Sequence, residues 1–160
     1  MDFFATSTAI SDDLFWRKLE FFFSINEYRQ KKAHIQIGYH GINGIEGAKT
    51  DNSIEKFSKY YERLICTVMK YIPNLTLASE TNVVEAPGLP DTAENINKQL
   101  EKQNDAIKAL AKKYGLKYND LYHYMLNEGK NFKHRDRIHF ESSANIFIAE
   151  RIASILNMKG

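Results

Sequence analysis

The sequence predicts a three-layer α/β/α domain built around a parallel β-sheet. Short apolar or alternating stretches of strand length recur between longer segments whose apolar residues repeat every three or four positions. The segments joining successive strands are long enough to hold crossover helices, so the strands run parallel, with right-handed connections and helices on both faces. The 160 residues are 43% apolar and 26% charged, which suits a single domain over 1–160 with a substantial core and a polar surface.

Ser11, Asp12 and Asp13 precede Leu14, Phe15, Leu19, Phe22 and Phe23. A capping residue, acidic side chains in the first turn and helical apolar spacing predict a helix over 12–24. Ala33 to Tyr39 alternates apolar and polar residues and runs into the Gly-rich stretch Gly38 to Gly47, which predicts a strand ending in a loop. Asn52 or Ser53 caps a second helix, with Ile54, Phe57, Tyr61, Ile65, Val68 and Ile72 on one face and Pro73 at its end. Leu75 to Ser79 is a second strand. Glu80 to Thr92, with Pro87-Gly88 and Pro90, is an irregular loop of a length that in compact domains tends to carry function. A helix over 93–114 buries Ile96, Leu100, Ile107, Leu110 and Ala111 and stops at Gly115, a C′ glycine. Leu116 to Asn119 is a third strand and 120–127 a short helix. Ile146, Phe147, Ile152 and Ile155 mark a last helix over 143–156.

Twenty-two Lys and Arg against 20 Asp and Glu leave a net charge of +2, and the basic residues are dispersed, which argues against a nucleic-acid footprint. The densest basic run, Lys130 to Arg137, reads as a solvated loop. No apolar segment approaches the roughly 18 residues that a membrane span needs. The first residues show neither a basic n-region nor an apolar h-region, so no membrane partner and a cytoplasmic location are expected. Cys66, the one cysteine, rules out an internal disulfide and is expected as a buried thiol.

Ligands of parallel sheets bind beyond the carboxyl ends of the strands. Three candidate segments sit there: Gly41-Ile42-Asn43-Gly44, the loop opened by Glu80-Thr81-Asn82, and Asp136-Arg137-Ile138-His139. A local turn lets the Asp136 carboxylate hold imidazole Nδ1–H and leave Nε2 to take a proton from a nucleophile. The bland alternatives are a surface histidine near a helix start, and for Gly-Ile-Asn-Gly an ordinary turn. His134, Asp136 and His139, with His40 added, have donor types that suit a divalent metal. Tyr118, Tyr122, Tyr124 and Phe132 read either as an aromatic platform or, more simply, as packing.

The order strand, Gly-Ile-Asn-Gly, strand with polar loop, then Asp-Arg-Ile-His-Phe before the last helix resembles the SGNH/GDSL hydrolase family of serine esterases over roughly residues 5–156. Tyr118-Asn119-Asp120-Leu121-Tyr122 and the helix bearing Asn95 and Asn104 add to the likeness. The resemblance implies a flavodoxin-like sheet with His139 as general base, Asp136 as its orienting partner and Asn43 as oxyanion donor. It further implies substrate contacts from Gly41, Gly44 and Thr81, no cofactor, and a small-molecule ester or acylated carbohydrate as substrate. Two departures shape the expectation. Gly44 stands where the family commonly has Asp, and no Gly-Asp-Ser block occurs; Ser7, after Phe3-Phe4-Ala5-Thr6, is the weak substitute nucleophile, only 36 positions before Asn43. A domain incomplete at its N-terminus, lacking the family's first strand and with little or no esterase activity, is expected. The alternative is a non-catalytic small-molecule binding or interaction domain that keeps the cleft. The sheet edge left bare beside the strand at 33–39 then favours a homodimer.

Overall fold

The computed structural model describes residues 12–25, 32–36, 54–85, 91–136 and 139–157. Within them the elements follow the predicted order: α1 (Asp13–Ile25), β1 (Lys32–Ile35), α2 (Ile54–Met69), β2 (Asn74–Ala78), α3 (Ala93–Tyr114), β3 (Lys117–Asn119), α4 (Leu121–Asn127) and α5 (Ser142–Asn157). Strand order is β1-β2-β3, with both pairings parallel. Register places Ala33 beside Leu75 and aligns Ile35, Leu77 and Tyr118 across the sheet. Because successive side chains alternate faces, His34, Thr76, Ala78 and Asn119 belong to the opposite face.

The Leu75 and Leu77 face packs on three helices. Phe15, Trp16, Leu19 and Phe23 from α1, Phe57, Tyr61, Leu64, Ile65 and Val68 from α2, and Ile107, Leu110 and Ala111 from α3 form one core with it. Full burial of each large apolar side chain contributes roughly 1.5–3 kcal/mol, so this cluster is the main source of stability. On the other face α5 returns to β1, where Lys32 Nζ donates to the Leu156 carbonyl at 2.6 Å. The three-layer α/β/α reading therefore holds.

Local chemistry explains where the element ends fall. Thr92 caps α3 by accepting the Asn95 N–H, and Gly115 ends it at φ 64°, a left-handed conformation that costs glycine no Cβ clash. Helix α2 stops at Met69, three residues before the predicted end at Ile72. Tyr71 and Ile72 instead turn back onto the Val68 carbonyl, because the residue ahead of Pro73 is disfavoured in helical backbone. Ile72 stays buried from this turn.

Three packing expectations are corrected. Cys66 is exposed rather than a core thiol, because the buried stripe of α2 runs through Leu64, Ile65 and Val68 and passes it by; its thiol meets the Tyr114 hydroxyl at 3.5 Å. Leu14 is exposed while Trp16 is buried beneath the Arg63 guanidinium, 4.0 Å above the ring, so the core stripe of α1 is rotated from the one expected. Ile146 is 63% exposed, since Ala144, Phe147 and Ile148 turn the inner face of α5 toward Met125 and Phe140. Among the described residues no helix is long and apolar enough to cross a membrane.

Tyr61 is fully buried, yet its hydroxyl has no hydrogen-bond partner among the described residues. Burial, with the nearby Glu80 carboxylate, pushes its ionisation well above the ordinary tyrosine range. A buried donor without a partner keeps its desolvation cost of about 1–3 kcal/mol. Tyr61→Phe, which removes the donor and keeps the ring, is therefore expected to stabilise the protein by about 1 kcal/mol in urea unfolding. A destabilisation of that size would mean that the hydroxyl is bonded after all.

Candidate active site

Because the strands are parallel, the segments leaving β2 and β3 emerge at one edge of the sheet. The loop after β2 is held rigidly although it has no regular structure. Asn104, buried on α3, accepts the Glu80 N–H at 2.8 Å and donates Nδ2 to the Glu80 carbonyl at 3.2 Å. Asn97, nearly two turns earlier on α3, grips Val83 in the same two-way manner, at 2.9 and 3.0 Å. Each amide stands in for a neighbouring strand, so the N–H and carbonyl of Glu80 and of Val83 are satisfied without one. Thr81 lies half-buried between these clamps. The register of β2 and β3 continues one step further, as Ser79 N–H donates to the Asn119 carbonyl and Ser79 Oγ accepts the Tyr122 N–H.

Asp136 and His139 form the predicted pair. Asp136 Oδ1 accepts the His139 backbone N–H at 2.7 Å and Oδ2 lies 2.9 Å from Nδ1 of its ring. A carboxylate only accepts, so a proton sits on Nδ1, and in the neutral ring Nε2 presents a lone pair. The two side chains are 45% and 65% exposed, a setting in which a carboxylate and an imidazole attract each other only weakly. The turn instead is held by the backbone: Arg135 N–H donates to the His139 carbonyl at 2.7 Å, and His134 and Phe140 pair as an isolated antiparallel bridge. Phe140 anchors the hairpin by packing with Met125 and Ala144.

The hairpin meets the β2 loop through His134. Its Nε2 lies 3.2 Å from the Asn82 carbonyl, one residue past Thr81. The structure thus brings Thr81, Asp136 and His139 to one region. Among the described residues no three His, Cys, Asp or Glu side chains converge as a metal site. Ser7, His40, Gly41, Asn43 and Gly44 lie outside the described residues.

The aromatic residues pack rather than form a platform. Tyr124 stacks on Phe147 at 4.9 Å and 7°, Phe132 tilts against the same ring, and the Arg151 guanidinium lies 4.0 Å above Tyr124. Tyr122 is buried and donates its hydroxyl to Glu101; burial and then that bond push its ionisation up to about 12. Burial, followed by the Asp120 charge, raises Tyr118 to about 12 as well.

Two features escaped the sequence reading. Asp120 and His123 repeat the spacing and the geometry of the first pair: Asp120 Oδ1 accepts the His123 backbone N–H at 3.1 Å, and both carboxylate oxygens lie 3.0 Å from Nδ1. The signal, Asp-x-x-His at the start of a helix, was open to view. Its recurrence shows that this spacing makes an Asp–His contact wherever the local turn forms, so position in the fold rather than spacing must distinguish the two pairs. The second feature spans the sheet. Arg151 Nε donates to Asn119 Oδ1 at 2.8 Å, which turns Asn119 Nδ2 toward His34 Nε2 at 3.2 Å. His34 is then a neutral ring with its proton on Nδ1, and burial lowers its pKa from 6.5 to about 4.

By sequence the chain matches no protein-family model and no curated protein. By shape it is similar to solved esterases. An acetyl xylan esterase, AlAXEase, superposes with a TM-score of 0.64 at 20% identity over 95% of this chain and 78% of that one. Axe2, an acetylxylan esterase from Geobacillus stearothermophilus, gives 0.68 at 11% identity over 96% and 70%. A GDSL-like lipase from Parabacteroides merdae gives 0.65 at 11% over 96% and 71%. The chain has an SGNH/GDSL hydrolase-like fold. Structures of the Geobacillus enzyme include catalytic mutants in which a serine, an aspartate or a histidine is replaced by alanine. In that enzyme the aspartate stands three positions before the histidine. With identities this low the likeness establishes the SGNH/GDSL-like architecture, and the chemistry rests on this chain's own residues.

Proposed function

We propose that this chain carries the site of an SGNH/GDSL-type ester hydrolase of the carboxylesterase or carbohydrate-ester deacylase class, for small O-acylated substrates that include acylated sugars, but without the serine nucleophile segment that turnover needs. The observation that carries the reading is His139, tied at Nδ1 by Asp136 and with Nε2 unencumbered among the described residues, on a hairpin joined to the loop that leaves the central strand. The catalytic aspartate and histidine of the Geobacillus esterase, at the same spacing, support it.

In this reading His139 Nε2 takes the proton of a serine hydroxyl as the oxygen attacks the ester carbonyl. Asn43 and backbone N–H groups hold the oxyanion, with Gly41, Gly44 and Thr81 lining the substrate. The alcohol leaves with the proton from His139, and water, activated by the same nitrogen, releases the acid. The 160 residues contain no Gly-Asp-Ser block to supply that serine. Loss of the nucleophile in a serine triad removes about a million-fold in rate by the subtilisin precedent. Hydrolysis by the chain as written is therefore proposed to be close to background.

The test is p-nitrophenyl acetate hydrolysis by the wild type, His139→Ala and Ser7→Ala. Rates near the uncatalysed one in all three are expected. Turnover by the wild type that both substitutions abolish would make Ser7 the nucleophile and end the claim that it is missing. The same missing block favours a second reading, a non-catalytic domain that retains the cleft. An acetylated xylo-oligosaccharide that shifts the amide signals of 80–83 and 139–140 without turnover supports it, and no shift counts against a retained cleft.

A further inference from the structure

The geometry points to His134 as a positioning residue that docks the Asp136–His139 pair on the loop following β2. The inference rests on His139 being the base of the proposed hydrolase and adds a residue to that site.

A carbonyl oxygen only accepts, so the contact between His134 Nε2 and Asn82 requires the proton on Nε2, the tautomer opposite to that of His139. Both ends of this bond are fixed. On one side Asn82 lies between Glu80 and Val83, whose backbones are gripped by Asn104 and Asn97 of α3. On the other, His134 pairs with Phe140, the residue after His139, and the two rings stand 4.1 Å apart. Glu141 braces the next step, donating its N–H to the Lys133 carbonyl and accepting the Lys133 N–H at its carboxylate.

The local Asp136–His139 contact orients the ring relative to its own turn; it does not fix that turn relative to the sheet. Both side chains are substantially exposed, so burial does little to hold them. General-base catalysis is sensitive to such placement, since a displacement of about 1 Å at the reacting atoms costs on the order of a hundred-fold. The His134 bond, reaching over 52 positions of sequence, supplies a fixed link between the hairpin and the strand end.

The second Asp–His pair provides an internal control, because His123 has the same local contact on α4. Long-range proton–nitrogen NMR of the full chain reads each imidazole as distinct protonated and unprotonated nitrogens. His134→Phe, which keeps a ring against Phe140 and removes the donor, frees the turn to open and break its Asp136–His139 contact, and so is expected to merge the two His139 nitrogen signals toward an average while those of His123, whose aspartate caps α4, stay separate. His134→Gln, whose amide can still donate to the Asn82 carbonyl, is expected to restore the His139 pattern. An unchanged His139 pattern in His134→Phe overturns the inference. Loss of both patterns together does so as well, since it makes His134 a residue of general stability, and so does a His134→Gln variant that restores nothing. Because the readout is the imidazole and not turnover, a chain inert toward p-nitrophenyl acetate leaves the test intact.

Discussion

Between pH 6.5 and about pH 4 the protein is expected to lose about 2–3 kcal/mol of stability through His34 alone. Burial holds the folded pKa near 4, whereas the unfolded chain takes up its proton near 6.5. Above 6.5 the ring is neutral in both states. As pH falls through the interval only the unfolded state is protonated, so stability drops; below about 4 both states carry the proton and this contribution levels off. Protonation also sets an imidazolium N–H against the Asn119 amide, whose orientation Arg151 fixes, so the bond has no easy replacement. Urea unfolding of the wild type and His34→Gln at pH values on either side of the window checks this. The variant should show a smaller acid-induced loss, and equal losses would place the acid sensitivity elsewhere.

Asn104→Leu is expected to destabilise the fold by about 3 kcal/mol. The substitution keeps the volume but strands both the N–H and the carbonyl of Glu80, and each buried group left without its partner costs about 1–3 kcal/mol. The less buried Asn97 makes the equivalent pair of bonds to Val83, and Asn97→Leu should cost less, because water can reach those groups. Chemical unfolding gives both values. Limited proteolysis adds a local reading: cleavage within 80–85 should rise in Asn104→Leu before global unfolding begins. A change below about 0.5 kcal/mol would show that the loop backbone finds other partners.

The architecture was legible because it follows from periodicity. Segments long enough to average over, such as Ala93–Tyr114 with its Thr92 and Gly115 ends, were placed almost to the residue. Errors fell where one side chain had to be assigned to one face. Cys66, Leu14 and Ile146 sit beside buried stripes, and a shift of one position, set by the partner helix, exposes them. The Asp136–His139 contact was legible for the opposite reason, being made within a single turn. Bonds that join distant segments left no comparable trace. Nothing in the sequence marks the loop that Asn97 and Asn104 clamp, or the Asn82 carbonyl as the partner of His134.

The return of α5 to the sheet has a consequence for how the protein comes into being. The strands and the helices between them are complete by Asn119, and neighbouring strands meet across short sequence intervals. The helix behind the Asp–His hairpin must instead close on β1 over 124 residues, from Leu156 to Lys32, the kind of contact whose loop entropy is met late in folding. As the chain leaves the ribosome, a sheet with its core can therefore exist before His139 has a fixed place. The candidate site is then a reporter of finished folding: a nascent or misfolded molecule can hold a nearly native sheet and still present no ordered Asp136–His139 pair.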